Sequence, residues 1–181
     1  MSGHSHWATH KRDKAVNDSK RSQIFTKVSR ALTVAAKLGG SDSTSNSSLR
    51  LAIEKAKDAH MPKDVIQKAI DKGAGKGSNS ENFEEITYEG YGPSGVAFMI
   101  KALTDNRNRT VGELRNIFNR HHGALGAAGS TAYIFNPDPE NPSFFIEIND
   151  KEILGNLMIL AEELEDSDDV QEVYTNFSVL E

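Results

Sequence analysis

The strongest constraint on this chain is a change of period part-way along it. Up to about residue 73 the apolar residues recur at helical spacing, and beyond residue 82 they alternate. Between the two regimes lies "GAGKGSNSEN", which is glycine, serine and asparagine with almost nothing apolar. A stretch with so little to bury, set between two periods, predicts two domains: a helical one over residues 1–77 and a second over 78–181.

In the first half Ile24, Val28, Leu32 and Ala35, with Phe25 and Ala36 alongside, mark one long helix, and the glycines at 39–40 stop it. Leu49, Ala52, Ile53 and Ala56 mark a second. Pro62 suits the first turn of a third, whose apolar face is Val65, Ile66, Ala69 and Ile70. Three such stripes must bury one another.

In the second half "FEEITYEGY" and "GVAFMIKAL" flank "GPS" and read as a hairpin. Thr110 and Glu113 form a capping-box pattern ahead of Val111, Leu114, Ile117 and Phe118. "STAYIF" and "SFFIEI" read as strands. Asp150 can cap a helix facing inward through Ile153, Leu157, Leu160, Ala161 and Leu164, and "VQEVY" reads as a last strand. The order β-β-α-β-β-α-β predicts an α+β domain, an antiparallel sheet of ferredoxin-like character.

Charge separates the halves further. The net charge of -5 conceals 15 Lys+Arg against 7 Asp+Glu in residues 1–77, and 6 against 19 in residues 78–181. The basic half is a candidate surface for nucleic acid, the competing reading being helices with solvated lysines. There are no cysteines, which excludes disulfides, thiolate zinc sites and cysteine nucleophiles. No run approaches the roughly 20 apolar residues of a membrane helix. The opening residues lack the features of a secretory or transit peptide, so the expected location is the cytoplasm.

Two clusters carry chemistry. The chain opens "MSGHSHWATHKRDK", and three readings compete: a metal site, a solvated end, or a nucleic-acid arm. His4, His6 and His10 offer nitrogen donors, but no carboxylate or cysteine completes a set, so no metal is expected. As an arm, Gly3 permits close approach, Trp7 offers a face for a base, and His4, Ser5, Lys11, Arg12 and Lys14 reach phosphate or base edges. Lys20, Arg21 and Lys27 continue the basic character along the first helix. The second cluster is "LTDNRNRT", where Arg107 and Arg109 stand beside a helix start that favours anions, against a reading in which Asp105 pairs with an arginine inside a turn. No P-loop, nucleophile elbow or dinucleotide fingerprint is present, and Glu84, Glu85 and Glu89 read as an exposed strand face. No enzyme activity and no cofactor are expected.

"GHSHW", "KRSQIFTK", "AAKLGG", "YEGYGPSGVA", "LTDNRNRT", "GALGAAGS" and "DDVQEVYTN" occur in the order seen in the YebC/PmpR family, which includes the mitochondrial translational activator of cytochrome oxidase. The resemblance runs from Gly3 to Asn176. It implies a non-enzymatic factor, either a ribosome-associated one that contacts rRNA or tRNA and eases synthesis through proline-rich stretches, or a DNA-binding transcriptional regulator. A protein-interaction module built on the acidic half is a further alternative. The resemblance also implies a third domain, inserted between "STAYIF" and "KEILGNLMILAEELED". Here that interval is only "NPDPENPSFFIEIND", so the insert is expected to be missing. His6, Asp13, Ser22-Gln23 and His122 stand where the family commonly has lysine, a basic residue, Gly-Lys and glycine.

Overall fold

The computed structural model describes residues 6–7, 18–76 and 82–179. Two compact units divide the chain. The helical unit comprises Val16–Glu84 with Leu103–Asp105, and the α+β unit holds Glu85–Ala102 and Asn106–Glu181 together with His6 and Trp7.

The helical unit contains α1 (Asp18–Gly39), α2 (Ser47–Asp58) and α3 (Lys63–Gly73). Leu32, Leu49 and Ala56 are fully enclosed at its centre, with Val28, Ala36, Ala52, Ile66, Ala69 and Ile70 around them. These are the helical stripes read from the sequence. Gly40 ends α1 in the left-handed conformation at φ 86° and donates its N–H to the Ala36 carbonyl. Pro62 stands at the N-cap position of α3, one residue before the first turn, and its carbonyl accepts from the Val65 and Ile66 N–H groups. Gly73 is needed by packing: a Cβ there would come within 2.2 Å of the Thr33 carbonyl oxygen, so α1 and α3 meet backbone to backbone.

After α3 the chain forms β1 (Glu84–Tyr91), a 3-10 turn (Pro93–Gly95), β2 (Ala97–Thr104), α4 (Arg107–Arg120), β3 (Ala124–Leu125), α5 (Ala132–Phe135), β4 (Ile146–Glu147), α6 (Lys151–Asp166), β5 (Val170–Thr175) and β6 (Phe177–Ser178). A four-stranded antiparallel sheet runs in the order β3-β1-β2-β5, and β4 pairs with β6 in a separate parallel ribbon. One sheet face, through Phe98, Ile100 and Val173, packs on Leu114 and Phe118 of α4 and on Leu157, Leu160 and Leu164 of α6. Ala97 and Met99, on the other face, pack on Ile134 and Phe135 of α5.

The α+β class holds, with local corrections. "STAYIF" forms α5 rather than a strand, because the loop before it is gathered onto a carboxylate: Glu89 accepts from the Thr131 N–H at 2.9 Å, the Thr131 hydroxyl at 2.8 Å and the Gly129 N–H. Glu89 is therefore buried, not part of an exposed face. The third strand lies earlier, at "AL". Asp150 caps α6 as expected, through the N–H groups of Glu152 and Ile153. For α4 the cap is Asn106, whose side chain accepts from Arg109 N–H, and not Thr110, which is buried inside the helix.

Candidate nucleic-acid interface

Cations concentrate on the helical unit. Residues 18–76 hold 12 Lys+Arg against 6 Asp+Glu. On α1, Arg21 is exposed and its guanidinium lies 5.6 Å from the centroid of the Phe25 ring, while Lys20 and Lys27 are half-buried. Long cationic side chains of this kind cover apolar surface with their stems and keep the charge near water. The loop between α1 and α2 adds a fixed anion, Asp42, held below the usual carboxylate range by the hydroxyl and N–H of Thr44.

Between α1 and α3 lies an open groove of about 570 Å³. One wall carries Thr26, Ser29 and Arg30 from α1, and the other Lys68 and Lys72 from α3. Its floor is where the helices touch, and there the Thr33 hydroxyl is shared between the Ser29 carbonyl at 2.9 Å and the Ala69 carbonyl at 3.2 Å. Two phenyl rings, Phe25 and Phe83, line it as well. The Arg30 guanidinium sits 4.9 Å from the Phe83 centroid and donates to the Leu103 carbonyl at 3.3 Å, which fixes its plane. These groove residues lie within the helical unit. The arrangement combines cations, hydroxyls and planar groups in one concavity, the chemistry that nucleotides require.

The sequence-predicted residues fare unequally. Gly3, His4, Ser5, Lys11, Arg12 and Lys14 lie outside the described residues, as does most of the linker that separates the two periods. Trp7 is 2% exposed and sits in the α+β core with Phe98, Phe118, Leu157 and Phe177. Its ring presents no face to a base, and the expected stacking tip is corrected at this residue: a large apolar ring gains more from burial than from an exposed position. Arg107 is exposed at the start of α4. Arg109 is held by Asp169, with Nη2 at 2.9 and 3.0 Å from the two carboxylate oxygens and Nε at 3.3 Å from one of them. Thr110 donates to the same carboxylate at 2.8 Å. The salt bridge envisaged for this turn thus has Asp169 as its anion, sixty residues along the chain. Asp169 is almost fully enclosed, so the pair fastens α4 to the turn before β5 and occupies the Arg109 fork.

Sequence reasoning missed Lys68, Lys72 and Phe83. The first two had a signal, since 65, 68, 69 and 72 share one face of α3 and the polar members of that stripe border the apolar ones. Phe83 had none, because it follows the linker and precedes β1 without helical spacing.

With this geometry in view, the comparisons are specific. The pattern of the TACO1/YebC protein N-terminal domain matches residues 5–76, and that of the TACO1/YebC second and third domain matches residues 83–138. The chain belongs to the TACO1/YebC family. A relative from Rubrobacter xylanophilus, named "Probable transcriptional regulatory protein", is 57% identical over 135 residues, covering 75% of this chain and 54% of that one. The chain thus spans about half the length of this relative and of a similar one from Syntrophus aciditrophicus, each 54% covered. A protein of the same name from Persephonella marina is 38% identical, with 99% of this chain and 96% of the relative covered. That alignment runs over 242 positions against 181 residues here, so the relative carries internal residues with no counterpart in this family member. The match to the second-and-third-domain pattern ends at residue 138, close to the interval where the sequence predicted a missing insert. The crystal structure of a conserved hypothetical protein, Aq1575, from Aquifex aeolicus superposes with a TM-score of 0.87 at 36% identity, covering 98% of each chain. No helix among the described residues is long and apolar enough to cross a membrane.

Proposed function

We propose that this TACO1/YebC family member is a non-enzymatic regulator of gene expression that contacts RNA of the ribosome, with the helical unit as its binding surface. The observation that carries the reading is the twofold excess of cations over anions in residues 18–76, three of which, Arg30, Lys68 and Lys72, line a groove that also offers planar and hydroxyl groups. Phosphate contacts supply sequence-independent affinity, and exposed rings and guanidinium planes suit the unstacked bases of folded RNA. Lys20, Arg21 and Lys27 on α1 make the phosphate contacts in this reading. Gly3, His4, Ser5, Lys11, Arg12 and Lys14 extend them, and Arg107 adds a contact from the α+β unit. Easing synthesis through proline-rich stretches is the activity that the family resemblance attaches to this role.

The test is co-sedimentation with ribosomes over a range of salt. Replacing Lys20, Arg21 and Lys27 with glutamine should lower the bound fraction at moderate salt by more than any fall in the unfolding temperature accounts for. Equal sedimentation of the variant and the parent would overturn the assignment to α1.

A DNA-binding role is favoured by one structural observation and by the name the relatives carry. The segment Ala59–Pro62 makes a four-residue turn between α2 and α3, a length found in helix-turn-helix proteins. Against it, α3 carries Asp64 and Asp71 among Lys63, Lys68 and Lys72, so a duplex laid along the whole helix would meet carboxylates as well as ammonium groups. Discrimination between specific and random duplex DNA would favour this second role.

A further inference from the structure

We propose that the groove between α1 and α3 is a binding site for one unstacked nucleotide of single-stranded RNA. The inference rests on the nucleic-acid reading above and goes beyond it by fixing where a base enters and which strand form is selected.

A volume of about 570 Å³ lies within the ~300–1,000 Å³ typical of small-ligand clefts, and is far too small for a duplex. The planar groups are arranged at one place. Phe83 and the Arg30 guanidinium stack on each other at 4.9 Å, and Arg30 is further fixed by its bond to the Leu103 carbonyl. A base that adds to this stack meets a surface already ordered, so little side-chain freedom is lost on binding. Across the groove, Lys68 and Lys72 project from successive turns of α3, four residues apart, the spacing that puts two side chains on one helix face. They form the phosphate wall. Asp105 is the one carboxylate on the lining and disfavours phosphate beside it. Ser29 on α1 offers a hydroxyl that can donate to or accept from a ribose 2′-OH, and the Thr26 hydroxyl, which donates to the Ser22 carbonyl at 3.1 Å, can accept from it; the 2′-OH is the group by which proteins tell RNA from DNA. A paired, stacked base cannot present its face to Phe83 without leaving the helix. The site therefore selects single strands, loops or bulges.

The experiment is a fluorescence-anisotropy titration of the full chain with a labelled single-stranded RNA octamer, the same sequence as duplex RNA, and the single-stranded DNA equivalent. Variants are Phe83→Leu, Ser29→Ala, the pair Lys68→Gln with Lys72→Gln, and a control, Lys57→Gln, on α2 away from the groove. Phe83→Leu should weaken single-stranded RNA about tenfold, inside the ~5–150-fold that one stacked base is worth, and leave duplex binding unchanged. Ser29→Ala should narrow the gap between RNA and DNA, and the lysine pair should flatten the salt dependence. The unfolding temperature of each variant separates lost affinity from lost fold. On the unaltered protein, photocrosslinking with 4-thiouridine in the octamer should label the peptides carrying Phe25 or Phe83. Binding that survives Phe83→Leu and the lysine pair, with crosslinks elsewhere, would overturn the groove while leaving the RNA reading intact. Equal loss for duplex and single strand would overturn the strand selectivity. Failure to bind any of the three nucleic acids, or ribosomes, would remove both the groove and the reading beneath it.

Discussion

Trp7 shows how far a single residue can depart from its neighbourhood. Its sequence context is histidine, glycine and lysine, which reads as a solvated arm, yet its ring is buried in the α+β core against Phe98 and Phe177. The hydrophobic gain from a ring of this size decides the matter locally. Trp7→Ala should therefore destabilise the α+β unit by about 3–5 kcal/mol, the usual range for an enclosed aromatic, as measured by urea unfolding. A variant as stable as the parent would show that the ring is dispensable to the core. His122 gives the opposite case, a residue tolerated rather than demanded. It holds a left-handed backbone at φ 57° just after α4, a conformation that suits glycine better. Relief of that strain is set against the greater freedom of glycine in the unfolded chain, so His122→Gly should stabilise by no more than about 1 kcal/mol in the same assay. A loss of stability would mean that the imidazole makes a contact worth more than the strain.

At the scale of elements, the helices were legible because each carries its own period. Val28, Leu32 and Ala35, or Leu157, Leu160 and Leu164, declare a face without reference to the rest of the chain. The short pieces were not legible, because distant groups decide them. α5 forms where Glu89, forty residues earlier, gathers the backbone of Gly129 and Thr131, and the anion that holds Arg109 comes from the turn before β5. Nor does any local pattern show that α1 and α3 leave a groove: the floor is where Thr33 meets Ala69, and Phe83 enters from beyond the linker. The junction of α1 and α2 offers a test of such non-local control. Asn46 is buried, accepts from the Leu49 N–H at 3.0 Å, and donates to the carbonyls of Ala35 and Gly40, each at 2.8 Å. One amide thus caps α2 and ties down the end of α1. Asn46→Ala should cost about 2 kcal/mol or more, since it removes the cap and strands two carbonyls. Asn46→Asp keeps the acceptor but sets a carboxylate against those carbonyls, so it should recover little of the loss. Full rescue by aspartate would show that the cap alone matters. Thermal unfolding of the three proteins decides between these outcomes.

At the scale of the whole molecule the informative quantity is how charge is divided, because the net value of -5 would suggest a protein that avoids nucleic acid. Affinity for a polyanion depends on the cations that reach phosphate and release counterions, while remote acidic residues are screened beyond roughly 10 Å at 0.1 M salt. An acidic half can therefore coexist with a binding half, and the two contributions separate in a salt titration. For single-stranded RNA the slope of log K against log salt should change by about 0.7 for each phosphate contact removed. Replacing Lys20, Arg21 and Lys27 with glutamine should thus reduce the magnitude of the slope by up to about 2, if all three touch phosphate. Replacing acidic residues of the other unit, such as Glu147, Glu152 and Asp166, changes the net charge by the same amount with the opposite sign. If net charge governed binding, that second variant would bind more tightly at every salt concentration and the first would simply bind more weakly, with both slopes preserved. If local contacts govern it, only the α1 variant changes slope. Parallel lines for both variants would rule out α1 as the phosphate-contacting surface.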